Sequence, residues 1–116
     1  MDALTRLQQW YAAHCDGDWE SGYGIEIYTV SNPGWTLKVH ISDLTLEDLP
    51  FEPVEINRSA TDRILCSVRD GKFVGHGGTT NLAEMIEIFL EWAQHEDDHE
   101  QNGRIPDEGP ASAPTG

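Results

Sequence analysis

The sequence predicts an α+β domain: an antiparallel sheet of about five strands, with an N-terminal and a C-terminal helix packed on one face. Three observations support this fold class. In residues 25–30 and 35–41, successive side chains divide into two alternating sets, as in half-buried antiparallel strands, and a short turn lies between the two segments. Asp70-Gly71, a dipeptide that favours hairpin turns, lies between two further strand-like segments. Over 82–93, apolar residues recur at steps of three and four, which is typical of a helix with one buried face.

The first predicted element is a helix from Ala3 to His14. Its apolar residues share one face and its polar residues lie opposite. Asp16-Gly17-Asp18 is expected to end the helix, because glycine can adopt a left-handed conformation at a helix exit. Residues 19–24 then form a glycine-interrupted lead into the first strand.

The next connections are predicted from their proline and glycine residues. In 31–34, Pro33 and Gly34 at adjacent central positions predict a type II turn. Segment 42–50 leaves two alternatives open, a short helical turn or an irregular crossing. A third strand is expected over 51–58, where Pro53 favours an edge position or the very start of the strand.

The second hairpin begins at Arg63 and is expected to end in a glycine loop, residues 75–78, because glycine is entropically costly in a strand. This loop is similar to a phosphate cradle but lacks the lysine and hydroxyl of a P-loop. Unusual backbone angles between strand and helix are therefore the favoured explanation of the glycines. Asn81 and Glu84 have the spacing of a capping box at the start of the last helix.

Composition divides the chain into two parts. Residues 1–95 are predicted to form a single domain. Residues 96–116 are predicted to form an acidic, Pro- and Gly-containing disordered tail, because so polar a segment cannot bury enough apolar area to offset the entropy cost of ordering it. Apolar runs are too short to span a bilayer, and the N-terminus lacks a signal pattern, so a cytoplasmic protein is expected. Cys15 and Cys66 lack CxxC spacing and are expected to be reduced thiols.

Charge limits the class of partner. The formal net charge is −14, from 21 acidic and 7 basic side chains. Nucleic acid and anionic membrane are therefore poor partners, since both require clustered Lys and Arg. A basic protein is favoured, because complementary charge accelerates encounter.

One stretch matches the consensus sequence of a catalytic motif. His95-Glu96-Asp97-Asp98-His99 fits HExxH, the zinc-protease signature. That chemistry needs a helix in a cleft and a third ligand, whereas this stretch follows a helix end and little chain remains after it. A solvated helix terminus is the favoured interpretation, and no catalytic residue, metal or cofactor is predicted.

Several stretches together resemble the immunity protein 53 family of bacterial polymorphic toxin systems. They are Leu7-Gln8-Gln9-Trp10-Tyr11, Cys15-Asp16-Gly17-Asp18-Trp19-Glu20, Tyr23-Gly24, Asn32-Pro33-Gly34-Trp35, Cys66-Ser67-Val68, Phe73-Val74-Gly75-His76-Gly77-Gly78 and Asn81-Leu82 through to Phe89-Leu90-Glu91-Trp92. The similarity covers most of 4–93 in the right order. The family often has a histidine after the Trp-Glu pair, where Ser21-Gly22 stand here, so no role for such a histidine is transferred. The resemblance implies a protein that binds and neutralises a cognate toxin.

The function hypothesis is therefore stoichiometric inhibition of a basic toxin, with a nuclease as the leading candidate because an acidic surface can occupy a cleft built for nucleic acid. The predicted toxin contacts are Asp16, Asp18, Trp19, Glu20, Glu26 and Glu55. Trp19 has two open interpretations, a core side chain or an exposed interface aromatic. Two alternatives remain for the function: a small metal-dependent enzyme using His95 and His99, and a general acidic protein-interaction domain.

Overall fold

The fold was taken from a computed structural model, which describes residues 2–22, 24–42 and 44–95. The elements in chain order are α1 (Ala3–His14), the single helical turn α2 (Trp19–Gly22), β1 (Ile25–Val30), β2 (Gly34–His40), a 3-10 turn (Thr45–Asp48), β3 (Val54–Asn57), β4 (Arg63–Arg69), β5 (Lys72–Gly77) and α3 (Leu82–Ala93). The five strands form one antiparallel sheet in the order β1-β2-β5-β4-β3. The predicted α+β class, five-stranded sheet and terminal helices are confirmed.

The register of the sheet separates two faces. Leu37, Phe73 and Cys66 are fully buried, and their alternation along β2, β5 and β4 places them on the face that carries α1 and α3. The opposite face is here called the open face. It carries Glu26, Tyr28 and Val30 of β1, Thr36, Lys38 and His40 of β2, Lys72, Val74 and His76 of β5, Arg63, Leu65, Ser67 and Arg69 of β4, and Glu55 and Asn57 of β3.

Aromatic rings fill the space between the helices and the covered face. The Phe89 ring meets Trp10 of α1 edge-on at 4.8 Å and Phe73 of β5 at 5.1 Å between centroids, a favourable aromatic geometry. Trp92 is buried, and its Nε1 donates a hydrogen bond to the backbone oxygen of Pro50 at 2.9 Å. This one side chain therefore fixes the segment between the 3-10 turn and β3.

Several local predictions are confirmed. α1 has the predicted bounds, and Gly17 after it has a φ of +98°. The alternative of a short helical turn within 42–50 is the correct one. β3 begins directly after Pro53 and lies at an edge of the sheet. No helix within the described residues is long and apolar enough to cross a membrane. The proposed tail, 96–116, lies outside the described residues.

The predicted type II turn between β1 and β2 is wrong. Such a turn needs a positive φ at Gly34, whereas the φ of Gly34 is outside the left-handed region and the Asn32–Pro33 peptide is cis. Glycine is needed at this position for its small size. A Cβ on Gly34 would lie 2.3 Å from the carbonyl oxygen of Gly77 in the neighbouring strand.

The prediction that the glycines end β5 is also wrong, because the strand continues through Gly77. Gly75 pairs with Leu37 on one side and with Cys66 on the other, so a central position in the sheet offsets the entropy cost of glycine. The glycines from 75 to 78 do not have the unusual backbone angles that were expected. A Cβ on Gly77 would instead lie 3.0 Å from Met85 Sδ of α3. The glycines let the helix lie directly on the strand.

The start of α3 is held by the β3–β4 loop and not by a capping box. The Asn81 side chain makes no capping hydrogen bond within the helix. Its Oδ1 accepts from the Gly78 amide at 2.8 Å, and its Nδ2 donates to Asp62 Oδ1 at 2.9 Å. Glu84, expected to reach back to the cap, accepts two hydrogen bonds from the Arg58 guanidinium instead. Hydrogen bonds to the β3–β4 loop therefore take the place of the expected capping box.

Candidate protein-interaction site

Trp19 is a core residue. Its side chain is 2% exposed, and its Nε1 donates to the backbone oxygen of His40 at 2.8 Å. The ring also lies edge-on to Trp10 of α1, at 5.6 Å between centroids. Of the two interpretations of this residue, the structure supports burial, so Trp19 has almost no surface to present to a partner.

The acidic loop after α1 is held in shape by two of its own carboxylates. Glu20 accepts from the amides of Asp16 at 2.9 Å and Gly17 at 2.7 Å. Asp16 Oδ1 accepts from the amides of Asp18 at 2.9 Å and Trp19 at 3.0 Å. The bond from Trp19, followed by that from Asp18, lowers the pKa of Asp16 below its ordinary value. Asp16 and Glu20 therefore stabilise the conformation of the loop and also add negative charge to it, whereas the exposed Asp18 contributes mainly charge.

Glu26 and Glu55 lie at opposite edges of the open face, on β1 and β3. Four strand spacings of about 4.8 Å separate those edges, or roughly 19 Å. Glu26 lies in the strand that follows the acidic loop and is 3.3 Å from His40 Nε2. Glu55 accepts a hydrogen bond from Asn57 at 3.2 Å and is remote from the loop. The structure thus brings Glu26, but not Glu55, into the region of the other predicted contacts.

The open face is the basic side of the molecule. It carries four of the seven Lys and Arg side chains of the chain, Lys38, Arg63, Arg69 and Lys72. Glu26 and Glu55 are the two carboxylates that its strands contribute. The strands were expected to contribute an acidic contact surface, and on this face they contribute more cations than anions.

Exposed apolar side chains concentrate on α1 and β1. Of the six large apolar residues that are exposed within the described chain, five belong to these two elements. They are Leu4 and Tyr11 of α1 and Ile27, Tyr28 and Val30 of β1. Leu4, Tyr11 and Ile27 lie on the helix side of the sheet, whereas Tyr28 and Val30 lie on the open face. Isolated exposed apolar residues are common, but several on neighbouring elements are typical of an interaction surface.

A groove separates α1 from β1. Its volume is about 260 Å³, and its lining consists of Leu7, Gln8, Tyr11, Glu20, Gly24 and Ile25. Glu20 places a carboxylate of the acidic loop in the wall of this groove. Sequence reasoning missed the site because β1 was expected to be half-buried. The available signal was that β1 has apolar residues on both faces, with Ile25 and Ile27 on one and Tyr28 and Val30 on the other.

A second and larger cavity, about 330 Å³, lies at the end of the open face near the β1–β2 turn. Its polar groups connect neighbouring segments. Trp35 Nε1 donates to the Thr79 backbone oxygen at 3.0 Å, and His76 Nδ1 lies 3.2 Å from Thr36 Oγ1. These contacts favour a structural role for the histidine and the indole.

The groups that could support metal or thiol chemistry are dispersed. Within the described residues no three His, Cys, Asp or Glu side chains are placed to hold a metal ion. Of the HExxH stretch only His95 is described, so His99 lies outside the described residues. Both cysteines are free thiols. Cys66 is fully buried, and burial raises its pKa to about 12, which keeps the thiol protonated.

Comparison with known proteins adds one finding. The family model described as immunity protein 53 matches residues 4–94. That range contains every predicted contact residue, from Asp16 to Glu55, and excludes the acidic tail. No curated protein and no solved structure matches the chain. The similarity indicated by the sequence motifs is confirmed.

Proposed function

Because this chain belongs to the immunity protein 53 family, we propose that it binds a cognate bacterial toxin and neutralises it by stoichiometric occupation, without catalysis. The family match over residues 4–94 is the observation that carries the proposal. Inhibition by binding requires an accessible surface and a complementary partner. It does not require convergent catalytic groups.

The charge of the chain supports a basic toxin. With a formal net charge of −14, the protein attracts a cationic partner over a distance of about 8 Å, the Debye length at physiological salt. A nuclease is the favoured toxin class, because its cleft must be cationic to hold a polyanionic substrate. Electrostatic attraction of this kind speeds association and selects against anionic partners.

The contact surface that we propose joins the acidic loop to the adjacent edge of the sheet. Asp16, Asp18 and Glu20 supply charge on the loop, and Glu26 supplies charge on β1. Trp19 supports the loop from within the core. An apolar centre with a polar rim is the usual anatomy of a protein interface, and Leu4, Tyr11 and Ile27, exposed on the helix side of this edge, provide such a centre.

Co-expression with any neighbouring reading frame whose product kills the host on its own tests the function. Survival of the host cell together with a co-purifying one-to-one complex is the expected result. Survival without a complex would contradict inhibition by binding and would favour chemistry on the toxin or its product. Cell death despite soluble expression of both proteins would contradict neutralisation of that toxin.

The contact surface needs its own test, because reversing Asp16 or Glu20 would also disturb the loop. The variant Asp18→Lys/Glu26→Lys reverses two charges while leaving the loop carboxylates in place. The matched control is Glu87→Lys/Glu91→Lys, which makes the same charge change at exposed positions of α3. The first variant should weaken toxin binding more than the control. Equal binding by both would place the interface elsewhere without contradicting the function.

The metal-dependent alternative makes a different prediction. If His95 and His99 held a catalytic metal, the full-length variant His95→Ala/His99→Ala would lose protection. The binding proposal predicts that this variant protects as well as the unchanged protein, and that a chelator has no effect on complex formation.

A further inference from the structure

We propose that the outer edge of β1, which pairs with no strand other than β2 within the described residues, receives an extended strand of the toxin, which joins the sheet as a sixth strand beside α1. The inference rests on the proposed function, which supplies the protein partner. It adds how that partner is held and which backbone groups hold it.

The backbone of β1 has three residues whose polar groups face outward. The His40 amide donates to the Gly24 oxygen at 3.0 Å, so these opposite residues form a hydrogen-bonded pair. Antiparallel strands alternate hydrogen-bonded and non-hydrogen-bonded pairs. The N–H and C=O groups of Ile25, Ile27 and Thr29 are therefore directed away from β2, toward the outer edge of the sheet, beside which the described part of the chain places no further strand.

The two edge strands differ in how well they are protected against pairing. β3 has four residues, begins after Pro53 and carries Glu55 near its centre. β1 has six residues, and Glu26 is its one charged side chain. Natural edge strands usually avoid unwanted pairing by being short or by carrying prolines, charges or bulges. β1 is longer and rich in β-branched and aromatic residues, as expected of an edge that accepts a strand.

The groove beside β1 provides space for the side chains of an added strand. On the helix side, a strand paired with β1 would lie next to Ile27 and below the α1 face that carries Leu4, Gln8 and Tyr11. Leu4 is 55% exposed and Tyr11 37% exposed, so both have apolar surface to bury. In this mode of recognition the main-chain bonds supply affinity, and the alternating side chains supply specificity.

Charge distinguishes a toxin strand from a second copy of this chain. Glu20 lines the groove and Glu26 lies on the opposite face of β1, so carboxylates lie on both sides of the edge. A strand with apolar residues toward α1 and one Lys or Arg beside Glu26, at the outer edge of the open face and one strand away from Lys38, complements both sides. A second copy would bring together two chains of formal net charge −14 and place the same carboxylates near each other.

Residue-resolved amide exchange tests the inference directly. The protein is compared alone and in complex with a catalytically inactivated form of the toxin against which it protects in the co-expression experiment. Exchange at Ile25, Ile27 and Thr29 should slow by at least about tenfold in the complex, because their amides acquire partners. The alternate amides, Glu26, Tyr28 and Val30, already donate within the sheet and should change less. A complex without this alternating protection would overturn strand addition but leave the proposed function standing.

A proline variant provides the second measurement. Thr29→Pro removes one outward donor without removing a β1–β2 hydrogen bond. It should weaken toxin binding by about tenfold or more, whereas the control Thr29→Ala should change binding by less than about threefold. Far-ultraviolet circular dichroism checks that both variants are folded. Equal binding by two folded variants would contradict the inference.

The remaining outcomes identify other occupants or no occupant. If the protein alone sediments as a dimer whose Ile25, Ile27 and Thr29 amides are protected, a second copy occupies the edge and the inference is wrong. If the unchanged protein forms no complex with the toxin, the proposed function fails and strand addition fails with it.

Discussion

Replacing Gly77 by alanine should destabilise the fold, because a methyl group has no room where the first turn of α3 lies on β5. A Cβ at this position would lie 2.9 Å from Asn81 Cβ and 3.0 Å from Met85 Sδ. Met85 is fully buried, and Asn81 is held by hydrogen bonds to Gly78 and Asp62, so neither neighbour can move freely. Overpacking of this kind typically costs about 1–3 kcal/mol.

Urea unfolding followed by tryptophan fluorescence measures this loss. With an m value near 2 kcal/mol per molar, a loss of about 2 kcal/mol lowers the urea midpoint by about 1 M. Gly22→Ala is the matched control, because nothing lies within 4 Å of a Cβ there. Alanine in that exposed helical turn should leave the midpoint unchanged or raise the stability by about 0.4–1 kcal/mol.

Gly75→Ala provides an intermediate point in the same series. A Cβ at Gly75 would lie 3.3 Å from both Cys66 Sγ and Met85 Sδ, which demands a smaller shift. The urea midpoint is expected to be highest for Gly22→Ala, lower for Gly75→Ala and lowest for Gly77→Ala. If Gly77→Ala unfolds at the same urea concentration as the unchanged protein, the close approach of α3 is not the reason for glycine at this position.

Three further predictions concern an acid, the two thiols and the aromatic core. The folded-state pKa of Asp62 is lowered by a hydrogen bond from the buried side-chain amide of Asn81 and then by one from the Arg58 guanidinium. The stabilisation that this carboxylate contributes is therefore present above its unfolded-state pKa and is lost as the pH falls below about 4. Urea midpoints of Asp62→Asn should therefore decrease less between pH 7 and pH 3 than those of the unchanged protein. Iodoacetamide should modify only the exposed Cys15 in the native protein, because burial keeps the Cys66 thiol protonated and inaccessible. Intact-protein mass spectrometry should show one adduct on the native protein and two on the protein unfolded in urea. Phe89→Ala should cost about 3–5 kcal/mol by thermal or urea unfolding, since its ring is fully buried, whereas Leu4→Ala, at a largely exposed residue, should stay within about 0.5 kcal/mol.

The elements that were predictable from sequence are those whose burial is periodic. α1 and α3 each have one apolar face, and the bounds expected for them agree with the structure. The two hairpins could be placed because turn residues separate alternating segments. The predictions that failed depend on contacts between distant parts of the chain. Gly34 and Gly77 are explained by neighbours across the sheet and in α3, which periodicity does not reveal.

The candidate site was predictable in composition and less so in geometry. The acidic loop was identified from its residues, but the burial of Trp19 depends on a hydrogen bond to His40, 21 residues away in sequence. Likewise, β1 is an edge strand because β5 lies beside β2, which leaves β1 with one strand neighbour among the residues that the structure describes. Strand order is decided by long-range pairing. A sequence read locally therefore could not show that Ile27 and Thr29 direct their backbone groups toward a free edge.

The cations of the open face and the acids of α3 lie on opposite sides of the sheet, so charge is distributed unevenly over a molecule that is a net anion. Lys38, Arg63, Arg69 and Lys72 lie on one side, whereas Glu84, Glu87 and Glu91 lie on α3. A cationic protein that approaches would experience an orienting torque in addition to attraction, and the torque would fall as added salt shortens the Debye length. The arrangement of charge would therefore influence which side of the molecule the partner meets first.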